Sequence, residues 1–112
     1  MSKVLDLLND QMNFEYESAY VYKAMAAYTD SLDLDGFTHW FDGQVHEEIE
    51  HGEKMKHFLQ EVGYDVRYKA IPEPKHDYES LLEVFKAALD LSLIHISEPT
   101  RQCCTSRMPS SA

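Results

Sequence analysis

Cysteine is missing from the first 102 residues, and the two that occur, Cys103 and Cys104, stand side by side near the end. That excludes a disulfide framework for the body of the chain. No run of about 18 apolar residues occurs, so nothing reads as a membrane span. The N-terminus lacks the basic, apolar, small-residue order of a secretory signal. Basic charge is scarce: 10 Lys and Arg stand against 20 Asp and Glu, for a net charge of −10, and residues 1–90 hold 19 of the acids and 8 of the bases. A surface so acidic repels nucleic acid phosphates and anionic lipid and favours cations, while also serving solubility. A Gly-rich phosphate loop, a nucleophile–His–Asp arrangement and a basic aromatic patch are all lacking. These absences point to a soluble, cytoplasmic protein with no nucleic acid or membrane partner, and 112 residues suit one small domain.

What is present is helical periodicity. Over residues 3–31, Leu5, Leu8, Met12, Glu15, Ala19, Tyr22 and Ala26 recur at alternating steps of three and four, with no glycine or proline between them. That spacing makes one stripe on a long helix. A turn through Thr29–Asp33 leads to a second helix, about residues 34–62, with a seam of Phe37, Phe41, Gln44, Glu48, His51, Met55, Phe58 and Val62. Gly63 suits the left-handed position that ends a helix. The short connection makes the two helices antiparallel neighbours. Residues 63–79 then change character, and the Ile71-Pro72-Glu73-Pro74 run favours extended chain. Such a segment reaches about 50 Å, enough to cross back along a bundle. A third helix opens at Ser80, with Glu83 as capping-box partner, and carries Leu81, Phe85 and Ala88 on its seam to about residue 91. Residues 91–112 show no sustained period. They read as a non-native or disordered tail, and Leu91–Arg101 looks like translated sequencing-adaptor sequence.

The seam positions Glu15, Glu48 and His51 are polar where neighbours are apolar. A buried carboxylate without a partner costs several kcal/mol, so three ionisable groups in a helical interior require a reason. Counted along an antiparallel hairpin, all three fall near mid-length, at one height. Glu48 and His51, at i and i+3, share a face, and Glu15 stands opposite. This O/O/N set suits Fe(II) and also Zn or Mn; the alternative is a buried hydrogen-bonded network without metal. A second Glu-x-x-His, Glu73 to His76, falls in the crossover and reads as chance. Tyr22 reads as a core aromatic, and Glu47 as a surface acid.

The segments Leu8–Glu15 with Tyr22, Leu34–Phe41 with Glu47–His51, and Ser80–Leu89 resemble the first three helices of bacterial non-haem ferritins. The resemblance covers residues 3–90 and implies an all-α fold: a ferritin-like four-helix bundle, truncated to two long helices, a long crossover and the start of a third helix. It implies iron storage and Fe(II) oxidation (ferroxidase activity), with non-haem iron as the metal and dioxygen or peroxide as oxidant. In the intact family the assembly is a 24-subunit homo-oligomeric shell. Glu15, Glu48 and His51 match the ligands of one iron, Glu48 bridging to a second. Tyr22 matches a hydrogen-bonding, redox-active neighbour, and Glu47 an accessory iron ligand of some bacterial members. The family's next ligand, a Glu on the third helix, falls at Ser92, and its fourth helix has no counterpart here. Half a di-iron centre is therefore expected, with low activity, no shell and exposed apolar faces. Two other functions fit the residues: a two-helix metal-binding module that completes the site by homodimerisation, and a metal-free helical interaction protein.

Overall fold

The computed structural model describes residues 2–97 and divides into two compact units, Met1–Glu79 and a second beginning at Ser80. The described residues form three helices and no strand: α1 (Ser2–Ser31), α2 (Asp35–Glu61) and α3 (Leu81–Ser97).

In the first unit α1 and α2 form the expected helical hairpin. Met12, Glu15, Ala19, Tyr22 and Ala26 are buried, as the spacing predicts, joined by Met25 and Thr29. The turn is fixed by a left-handed residue, Asp33 at φ 60°. Around it the Leu34 N–H bonds the Thr29 carbonyl (3.0 Å) and the Asp33 N–H bonds the Asp30 carbonyl (2.9 Å), a double closure of the helix end. The hydroxyls of Thr29 and Thr38, 2.8 Å apart, tie the two helices across the turn. The end of α2 repeats the same closure. Gly63 sits at φ 80°, with Tyr64 N–H on the Leu59 carbonyl (2.9 Å) and Gly63 N–H on the Gln60 carbonyl (3.1 Å).

The buried stripe of α2 differs from expectation. Phe41 and Glu48 are buried with Val45, Gly52 and Leu59, whereas Phe37, Phe58 and Val62 are 41, 47 and 47 % exposed. Gln44, His51 and Met55 are half-buried. From Phe41, steps of three-then-four and four-then-three are equally helical. They diverge by single residues, which lie about 100° apart around the helix. Packing against α1 selects the second set.

Residues 64–78 form the extended crossover, which travels along α1. The Tyr64 hydroxyl donates to Asp6, and Lys69 Nζ reaches the Asp10 carboxylate at 2.6 Å. Further along, Tyr68 lies against Tyr16 (centroids 6.0 Å) and Tyr78 against Tyr28 (5.6 Å). Two α1 asparagines supply the backbone partners that an isolated extended chain lacks. Asn9 donates to the Arg67 carbonyl and accepts from the Arg67 N–H, both at 3.1 Å. Asn13 donates to the same carbonyl at 2.9 Å and accepts from the Lys69 N–H at 2.8 Å.

In the second unit the Glu83 N–H bonds Ser80 Oγ at 3.2 Å, the expected N-cap. Among the described side chains of α3, Val84 and Ala88 are buried, and Phe85, expected on the seam, is 36 % exposed. Steps of four-then-three and three-then-four again diverge by one residue. The helix continues past the expected end near 91 to Ser97. Leu91, Leu93 and Ile94 are adequate helix formers, and no proline intervenes before Pro99. The rest of the tail reading, residues 98–112, lies outside the described residues.

Candidate metal centre

Each arm of the hairpin brings its polar seam residues to one level. Glu15 lies midway along α1 and Glu48 and His51 midway along α2, and one ligand atom from each lies within 4.8 Å of the other two. His51 Nδ1 stands 3.5 Å from Glu15 Oε1 and 3.5 Å from Glu48 Oε1. The carboxylates are 0 and 1 % exposed by residue, and the His51 side chain is 10 % exposed. Two carboxylates in one apolar interior repel each other and lose hydration, a cost that a shared cation offsets. The imidazole adds a nitrogen donor at the more accessible edge. This is the O/O/N set expected from the register of the two helices.

Sequence reading missed a supporting residue. Gln11, one turn before Glu15 and itself buried, donates from Nε2 to Glu15 Oε2 at 2.7 Å. It fixes the carboxylate's orientation and leaves Oε1 toward His51. A polar residue four positions from a buried acid was the available signal.

Of the other expected site residues, Tyr22 is 2 % exposed and packs on Phe41 with ring centroids 6.2 Å apart. Glu47 is half-buried and is not a member of the three-residue cluster. The chance pair Glu73 and His76 lies 3.7 Å apart on the crossover, with side chains 82 and 71 % exposed.

Beside the cluster, Tyr16 donates to Glu53 Oε2 at 2.8 Å, and Lys56 Nζ lies 3.1 Å from Glu53 Oε1. Burial, then the adjoining Glu53 carboxylate, pushes the Tyr16 phenol well above its ordinary value. The same hydrogen bond and Lys56 hold the Glu53 carboxyl below its own. Tyr16 therefore stays a hydrogen-bond donor.

The family described as ferritin-like domain matches residues 5–97. The chain belongs to the ferritin family. Among curated relatives it is 43 % identical over 86 residues to a bacterial non-heme ferritin of Staphylococcus haemolyticus, covering 77 % of this chain and 52 % of that protein. The Staphylococcus aureus bacterial non-heme ferritin gives the same identity and coverage. Among solved structures, the open-pore ferritin of the hyperthermophilic archaeon Archaeoglobus fulgidus superposes with a TM-score of 0.80 at 37 % identity, over 84 % of this chain and 58 % of that one. Its engineered closed form superposes at 0.79. This ferritin-family chain thus spans about half the length of the curated relatives it matches. The match takes in α1 from Leu5 onward, all of α2, the crossover and α3 through Ser97. Among the described residues no helix is long and apolar enough to cross a membrane.

Proposed function

We propose that Glu15, Glu48 and His51 bind Fe(II) as one half of a ferroxidase centre, and that the chain serves iron oxidation and storage in the cytoplasm. The observation that carries this reading is the convergence of two fully buried carboxylates and an imidazole within 4.8 Å. Iron is the substrate. Hard carboxylate oxygens and a borderline imidazole accept Fe(II). Two buried negative charges stabilise Fe(III) more than Fe(II), because the attraction scales with cation charge in a weakly screened interior. Binding therefore lowers the iron reduction potential and favours loss of an electron. Two Fe(II) ions give one electron each to dioxygen, which takes two protons and leaves as hydrogen peroxide. Gln11 holds Glu15 for the first iron. Glu48, on the resemblance to non-haem ferritins, bridges to a second iron, with Glu47 as an accessory ligand and Tyr22 as the hydrogen-bonding, redox-active neighbour.

On this reading residues 1–90 hold the first iron through Glu15, Glu48 and His51, and rapid oxidation and a 24-subunit shell draw on the family's remaining ligands and helices. Anaerobic Fe(II) titration tests the reading. One Fe(II) per chain is expected, with loss of that equivalent in Glu48→Ala. Equal stoichiometry in the variant would exclude the site. Extending the chain with a full-length ferritin C-terminal half should then give dioxygen-dependent oxidation.

A further inference from the structure

Gly52 stands immediately after His51, buried in the interior of α2, where glycine is the least favourable helical residue after proline. Its presence there has a local cause. A Cβ at residue 52 would lie 2.8 Å from Cε1 and Cζ of Tyr16 and 3.2 Å from Cδ1. The ring cannot readily swing away, because its hydroxyl is bound to Glu53 and its side packs on Tyr68 of the crossover. Gly43, in the same helix, has nothing within 4 Å of the corresponding position. Tyr16 in turn follows Glu15. This tight contact between the two helices therefore lies one residue from a proposed ligand on each.

We propose that the Tyr16–Gly52 contact sets the spacing of α1 and α2 at the metal cluster, making both positioning residues for Glu15 and His51. The inference rests on the metal-binding reading above and extends it to what fixes the geometry. A methyl at residue 52 forces either the ring or the α2 backbone to move. Backbone movement carries His51 away from Glu15, across a gap now bridged by the 3.5 Å approach of Nδ1 to Oε1. Metal–ligand bonds tolerate only about 0.2 Å of misplacement, so a shift of a few tenths matters.

Co(II), followed by its visible absorption, is the probe, applied to the full chain, Gly52→Ala, Tyr16→Leu and the double variant, with Gly43→Ala as the control methyl. Gly52→Ala should weaken Co(II) binding about tenfold or more and alter the absorption band, as loss of a ligand's supporting partner does. Gly43→Ala should leave both unchanged, and the double variant should bind within about threefold of Tyr16→Leu, since the smaller side chain admits the methyl. Wild-type Co(II) affinity in Gly52→Ala, or a double variant as weak as Gly52→Ala, overturns the proposal. Undiminished Co(II) binding by Glu48→Ala would instead overturn the metal reading and the positioning role with it. Melting of the metal-free proteins then judges the spacer alone. Gly52→Ala should melt below Gly43→Ala and recover when Tyr16 becomes Leu, and equal melting would refute the contact.

Discussion

The chain contains the same four-residue spacing twice, and the two copies behave differently. Glu48 and His51 lie on α2, 3.5 Å apart and nearly excluded from water, with Glu15 facing them and Gln11 behind it. Glu73 and His76 lie on the crossover, 3.7 Å apart, with both side chains mostly in solvent. The pair distance hardly distinguishes them. What differs is desolvation and a third donor from another element. An exposed ion pair is stabilised by about 1 kcal/mol at most, because water already solvates both groups. A buried pair of acids is unfavourable until a cation arrives, and that deficit becomes binding selectivity. Spacing supplies the donors in both copies, and burial with a third donor sets the α2 copy apart.

The contrast can be broken most strongly at the histidines. His51→Ala should weaken Co(II) or Fe(II) binding more than about 100-fold, beyond the effect of losing a supporting partner. His76→Ala should change it less than about twofold, as expected for a solvated surface pair. Isothermal titration of the two variants decides the comparison directly. Next in size is the anchoring of the crossover. Asn9→Leu removes both hydrogen bonds to the Arg67 backbone and should lower unfolding free energy by about 2 kcal/mol in urea denaturation. Gln11→Leu retains volume while removing the Glu15 hydrogen bond, and about tenfold weaker metal binding is expected with little change in helicity by circular dichroism. The smallest effect sharpens the exposed side: Glu73→Ala should shift stability by less than about 0.5 kcal/mol. A larger loss would mean that the crossover pair carries structural weight.

Much of this was legible in the amino-acid order because local rules and the fold agree. Periodicity located both long helices. Gly63 marked the end of α2, Ser80 the start of α3, and the two closely spaced prolines marked an extended crossing. The convergence of Glu15, Glu48 and His51 was legible because polar residues interrupted an otherwise apolar stripe at matching heights. The details that escaped depend on which neighbour a face meets. Val45, Gly52 and Leu59, rather than Gln44, His51 and Phe58, form the deepest face of α2, because periodicity fixes the spacing of a stripe more firmly than its rotation. Gln11 escaped because an amide four residues from an acid is commonplace on a solvated helix. The continuation of α3 to Ser97 escaped because a lost hydrophobic period was taken to end the helix, whereas intrinsic propensity carries it further.

The asparagine clamps have a consequence for how the crossover tolerates change. Because Asn9 and Asn13 bond alternate backbone groups at Arg67 and Lys69, they fix the crossover's register as a neighbouring strand would. One residue inserted between Arg67 and Lys69 would keep both clamps from holding at once and draw Tyr68 away from Tyr16. The stretch from Ile71 to Asp77 is largely exposed, so among the described residues of the crossover it is the part best able to absorb added length.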